Sequence, residues 1–173
     1  MAVLRSIVTA YDFLVRALAA LAGIMIAAAS VLIVVDVSIR TAGVPPPAYT
    51  IAVVEYGLLY ITMFTAPMLV RTRGHVYVDA IVAHLPPVLE VVVAKSTCLV
   101  AIVTSLVIVY FSFELLVESY QAGYFDERGV DVPQWLLYVP MPIGFALVAV
   151  EFTRLLFARE LMHRDHAEKE GSV

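Results

Sequence analysis

The sequence predicts an all-α integral membrane protein: four transmembrane helices, an amphipathic N-terminal extension, and a short interfacial helix between helices two and three. Three observations predict it. Of 173 residues 62% are hydrophobic and 15% charged, with a mean hydropathy of +0.92, where a soluble domain is nearer 45–50% apolar and about 25% charged. Four long apolar runs punctuate the chain, and a span needs roughly 20 such residues. The runs do not alternate apolar and polar side chains, which excludes a β-barrel, so helices that satisfy their own backbone groups are the remaining solution. The same composition excludes a water-soluble enzyme and a disordered chain. The net charge of −4 argues against a nucleic-acid partner. The one cysteine, Cys98, excludes an internal disulfide or a multi-cysteine metal site.

The whole chain, 1–173, reads as one membrane domain with spans at about 14–36, 50–70, 88–113 and 134–157 and a polar tail at 158–173. In the first run Ala17 to Val35 carry no charge and would cover about 28 Å as a helix, close to a hydrocarbon core of about 30 Å. A cleaved signal peptide is the rival reading of this run. Arg5 would be its charged end and Ala27-Ala28-Ala29 its cleavage site, but the apolar stretch continues to Val35, past the usual 7–15 residues. Ahead of it Leu4, Ile7, Val8, Tyr11, Leu14, Val15 and Leu18 recur at helical spacing, with Arg5, Thr9, Asp12 and Arg16 opposite. This is the amphipathic extension, which either lies in the headgroup layer or lengthens helix one. Gly43-Val44-Pro45-Pro46-Pro47 forces an extended turn. The second run contains Glu55 near its start and ends at Arg71. Val76 to Leu85 is too short to span, and Asp79 can cap a helix beginning at Ala80. Pro86-Pro87 then opens the third run, which contains Lys95, and the fourth runs from Val132 past Glu151 to about Phe157.

Basic residues set the expected orientation. Arg5, Arg16, Arg71, Arg73, Lys95, Arg154, Arg159, Arg164 and Lys169 fall on one side, and only Arg40 and Arg128 on the other. Both termini are therefore expected in the cytoplasm. The third connector, with Glu114, Glu118, Asp126, Glu127 and Asp131, should form an acidic outer patch. Tyr120, Tyr124, Trp135 and Tyr138 lie nearby, where amphipathic rings favour the membrane boundary.

Groups that could carry chemistry are few. His75, His84, His163 and His166 all lie outside the spans, so facing histidines cannot hold a membrane haem. There is no zinc motif, nucleophile elbow or phosphate loop, and neither a catalytic residue nor a cofactor site is expected. Hydroxyl residues such as Ser30, Ser38, Ser96, Thr97, Thr104 and Ser105 look scattered and suited to bonding back to their own helix. Asp36 and Arg40 are four apart, Arg40 could meet Glu55 across the first connector, and Asp12 could pair with Arg16. Lys95 and Glu151 lie at comparable depth, with Arg154 beyond. Ion pairs that fix helix order are the favoured reading over an ion path, because the midplane residues are Ala, Val, Leu and Ile. Ala19, Gly23 and Ala27 form a small-residue seam in helix one, and Pro67, Pro140 and Pro142 imply kinks near span ends. The sum is a packing piece, which suggests an accessory subunit.

One family orders its elements this way. Asp36-Val37-Ser38-Ile39-Arg40 closes helix one and Glu55 opens helix two; Arg73-Gly74-His75-Val76-Tyr77-Val78-Asp79 and Leu85-Pro86 precede helix three. Pro133-Gln134-Trp135, Tyr138, Pro140, Pro142-Ile143-Gly144 and Glu151 mark helix four. In this order the chain, over about residues 10 to 158, resembles the small membrane subunit (DctQ-like) of tripartite ATP-independent periplasmic (TRAP) transporters. The charged stretch 126–131 departs from it, since relatives are often less acidic there. The resemblance implies a large multi-span membrane subunit that holds the substrate and ion sites and moves as an elevator. It also implies a periplasmic substrate-binding protein that delivers an organic acid, an ion gradient as the energy source, and the bacterial inner membrane as location. Relatives exist in which the two membrane subunits are fused; the polar tail here leads us to expect a separate polypeptide. Arg40, Glu55, His75 and Asp79 are the expected subunit contacts. The alternatives are a small oligomeric channel or exporter, and an integral-membrane enzyme built on His75, Asp79 and His84; neither explains a dry midplane.

Overall fold

A computed structural model describes residues 2–45, 47, 49–72, 87–126 and 131–157. Within them four helices are long and apolar enough to cross a membrane. Helix α1 runs unbroken from Ala2 to Thr41, so the N-terminal segment continues the helix of the first span. At 1.5 Å per residue its 40 residues reach about 60 Å, twice the hydrocarbon core. Gly43 ends it with a φ of 77°. Gly43 N–H reaches the Arg40 carbonyl and Val44 N–H the Ile39 carbonyl, the paired closure that a left-handed residue after a helix allows. Helix α2 covers Tyr49–Arg71 and contains Pro67. Helix α3 covers Pro87–Ala122, with proline at its first position, where a missing N–H costs no helical bond.

The third connector is structured. Strands β1 (Phe125–Asp126) and β2 (Val132–Pro133) pair antiparallel, and Gln134 N–H donates to the Tyr124 carbonyl at 2.9 Å. The fourth span is two helices, α4 (Gln134–Tyr138) and α5 (Pro140–Phe157). They meet at Val139, and Pro140 and Pro142 fall in the first turn of α5, the part of a helix that tolerates proline. The expected interfacial helix at about 78–85 and the tail lie outside the described residues.

The long helices stand side by side in the order α1, α2, α5, α3: α1 packs on α2, α2 on α5, and α5 on α3. This is an open row, which explains why burial is low and uneven. In an apolar 18-residue stretch of each helix, 6% and 11% of residues are buried in α1 and α3, at the ends of the row, against 17% and 22% in α2 and the α4–α5 span. The core is a set of narrow seams built from Val15, Ala22, Ala52, Ile61, Val70, Ala94, Cys98 and Ala149.

Two seams follow a seven-residue repeat. Along α1 the covered positions include Tyr11, Val15, Leu18, Ala22, Met25, Ala29, Leu32, Asp36 and Ile39, with Asp12 and Ala19 beside them, steps of four and three that keep one stripe turned toward the row. Along α3 the buried positions include Cys98, Ser105, Ser112 and Ser119, each seven from the last. The hydroxyl residues of α3 are thus not all scattered. Small side chains at this spacing let α3 lie close along α5, in the absence of any hydrophobic drive between helices in lipid. Replacing Ser112 with Leu should therefore separate α3 from α5 and cost about 1–3 kcal/mol, as overpacking does, whereas Ser112→Ala should be tolerated. Thermal unfolding of the purified chain in detergent distinguishes them.

Candidate functional site

The polar side chains collect at the two ends of the row. At the first end Arg71 closes α2, Asp12 lies on α1, and Glu151 and Arg154 lie one helical turn apart on α5. Arg71 donates from Nε and from one Nη to Glu151 Oε1, at 3.1 and 2.6 Å, and the same Nη donates to Asp12 Oδ1 at 2.9 Å. Arg154 Nη1 donates to Asp12 Oδ1 at 2.9 Å and stands 3.6 Å from Glu151 Oε1. The Tyr11 ring lies beneath both guanidinium groups, 5.6 Å from Arg71 Cζ and 5.3 Å from Arg154 Cζ, where a cation is attracted to the ring face. Its hydroxyl donates to the Leu147 carbonyl at 3.4 Å. The Glu151 side chain is 5% exposed and that of Arg71 20%; so deep a carboxylate persists as an ion only if paired. Arg71 bonds both α1 and α5, and Asp12 both α2 and α5, so the three helices are joined through one guanidinium and one carboxylate.

At the second end α2 grips the connector between α3 and α5. Tyr56 donates to Asp126 Oδ2 on β1 and Tyr60 to the Leu136 carbonyl on α4, both at 2.5 Å. Tyr120 and Trp135 meet edge to face at 5.9 Å, and Gln134 Nε2 donates to the Tyr138 hydroxyl at 3.1 Å. Arg40 donates to Asp36 within α1 at 2.6 Å. Between the two ends the hydroxyls mostly turn back on their own helix: Ser30 to Ile26, Ser38 to Val34, Thr62 to Leu58, Thr97 to Val93 and Thr153 to Ala149. Among the described residues no three His, Cys, Asp or Glu side chains group to hold a metal. The geometry is that of a fastening at each end of an oily wall.

Residues 29–160 match the family described as tripartite ATP-independent periplasmic transporters, DctQ component, well over half of the 173 residues. The chain belongs to the DctQ family. It is the small membrane component of a TRAP transporter, a multi-pass membrane protein and not an enzyme. No match is found among curated proteins.

Of the four residues expected at DctQ subunit contacts, the structure places two. Arg40 is exposed and bonded to Asp36. Glu55 is exposed on α2, 15 positions along the chain from Arg40. His75 and Asp79 lie outside the described residues. The expected partner of Glu151 changes: Lys95 is exposed on α3, and Glu151 pairs with Arg71 and, at 3.6 Å, with Arg154. Asp12 likewise bonds Arg71 and Arg154 of other helices. The small-residue seam of helix one turns outward only in part, Ala19 being half-buried. Gly23 and Ala27 are exposed, and a Cβ built on Gly23 would meet nothing within 4 Å.

Proposed function

We propose that this DctQ component acts as a static brace for the large membrane subunit. On this reading the large subunit moves as an elevator and takes up an organic acid, delivered by a periplasmic binding protein, at the expense of an ion gradient. The observation that carries the reading is the open row of helices fastened at both ends. An elevator needs a neighbour of large apolar area that does not change shape, and a row offers more such area than a closed bundle of the same helices. The brace has no need of a polar core. The outward Gly23 and Ala27 on α1 adjoin a shallow apolar groove lined by Ile24, Ala27, Ala28, Val31, Leu32 and Val35, the kind of surface on which a partner helix can approach closely.

Further parts of the reading rest on sequence. Both termini lie in the cytoplasm of the bacterial inner membrane by the distribution of Lys and Arg. The amphipathic start of α1 and the 78–85 helix then hold the brace at fixed depth in the inner leaflet. Arg40, Glu55, His75 and Asp79 contribute polar contacts to the partner, and the acidic connector faces the binding protein.

Gly23→Leu tests the brace. Among the described residues a Cβ at Gly23 would meet nothing within 4 Å, and leucine favours helix over glycine by up to about 1 kcal/mol, so the isolated chain should fold at least as well. Co-purification with the large subunit should fall several-fold, and uptake with it; unchanged recovery and uptake would refute the contact. Glu55→Ala should weaken recovery in the same assay.

A further inference from the structure

We propose that the notch between α1, α2 and α5 binds the phosphate group of an anionic membrane lipid. The notch encloses about 430 Å³ and is lined by Asp12, Arg16, Arg71, Glu151 and Arg154, with Val70 and Leu155 as an apolar wall. Three guanidinium groups face two carboxylates, so the lining carries a surplus of one positive charge, the complement of one phosphodiester.

The donors left over point the same way. Arg71 uses Nε and one Nη on Glu151 and Asp12, and Arg154 uses Nη1 on Asp12. Among the described residues these bonds leave the second Nη of Arg71 and the Nη2 and Nε of Arg154 without an acceptor. A guanidinium presents its donors in a planar fork suited to phosphate oxygens. The Tyr11 ring beneath Arg71 and Arg154 and the shared carboxylates hold both groups in place, so little side-chain freedom is lost when an anion arrives.

The surroundings favour a lipid over a free anion. The notch opens at one end of the apolar helices, and Phe13, Leu14, Leu69 and Phe157, at the same level on α1, α2 and α5, are exposed. A lipid whose phosphate sits in the notch can lay its acyl chains on such side chains, whereas a soluble phosphate gains nothing from them. Basic pockets between membrane helices take anionic headgroups by this combination.

The full chain, purified in detergent and offered phosphatidylglycerol or phosphatidylcholine of matched acyl chains, should retain phosphatidylglycerol selectively by native mass spectrometry. Arg16→Gln, which leaves the Arg71 bonds intact, should weaken that retention about tenfold, the loss of one charge-assisted contact. Arg154→Gln should weaken it as much, and Lys95→Gln, which removes a charge elsewhere, should not. Equal retention of the two lipids, or an equal loss in Lys95→Gln, would overturn the proposal. Displacement of phosphatidylglycerol by millimolar inorganic phosphate would overturn it in favour of a soluble anion.

Discussion

Arg71→Met should deplete the folded chain more than any other single polar substitution described here. It strips both hydrogen bonds from Glu151, a carboxylate that is 5% exposed, and removes the bond from α2 to Asp12 on α1. Leaving one member of a buried pair alone costs about 3–5 kcal/mol, a large share of the whole stability of a typical domain. Arg154 is 3.6 Å from Glu151 and more exposed, so it compensates in part at most. The double variant Arg71→Met, Glu151→Met should recover most of the loss, because replacing both partners with apolar side chains removes the stranded charge. Asp12→Asn should cost far less, since Asp12 is a third exposed and water takes over its pairing. Folded yield and thermal midpoint by size-exclusion chromatography read all three. A single Arg71 variant as stable as the parent would show that Glu151 does not depend on it.

The position of Arg71 explains why the fastening matters for a brace. Helices in an open row have neighbours on one or two sides only, and lipid supplies no hydrophobic force to keep them together. Without fixed ends, α1 could slide or rotate on α2, because its contact is a single stripe. Arg71 removes that freedom at one end; the Tyr56 and Tyr60 bonds remove it at the other for α2 against the connector. The middle is left to small side chains, so the row stays thin and keeps its two broad faces for partners.

Hydropathy makes the four spans legible in the sequence, because each must satisfy the same bilayer independently of its neighbours. What depends on neighbours is legible only in part. Depth along the chain puts Glu151 level with Lys95, but pairing also requires azimuth and helix order. The row places α2 against α5, so the charge at the end of α2 is the one that reaches Glu151. For the same reason the sequence shows Arg71 only as the charge that ends the second run. On α1 the small residues Ala19, Gly23 and Ala27 recur every four positions, whereas the stripe that packs follows the four-three spacing from Tyr11 to Ile39. The seam of α3 is legible in the sequence, where the small residues Cys98, Ser105, Ser112 and Ser119 repeat every seven positions. The β1–β2 ribbon carries no comparable signal, being two residues on each side.

Gly144→Ala is the second substitution expected to have a large effect, and its cause is a backbone contact. A Cβ at Gly144 would lie 2.9 Å from both Cβ and the carbonyl oxygen of Met63, closer than side-chain carbons settle, and a tight 3.1 Å from its Sδ. The chain leaves that carbonyl available for a reason written four residues on. Pro67 has no N–H to donate to residue 63, so this turn of α2 lacks a helical bond and its open carbonyl is the one facing Gly144 on α5. A single added methyl must therefore part the two central helices of the row, at a cost of about 1–3 kcal/mol. Met63→Ala should not rescue it: truncation removes Sδ but keeps Cβ and the carbonyl, the two atoms in the way. Were the obstacle the flexible thioether, the double variant would regain the parent's thermal midpoint, and that result would refute the backbone contact. With α2 and α5 apart, Glu151 also moves from Arg71, so Gly144→Ala and Arg71→Met together should cost less than the sum of their separate losses, as coupled sites do.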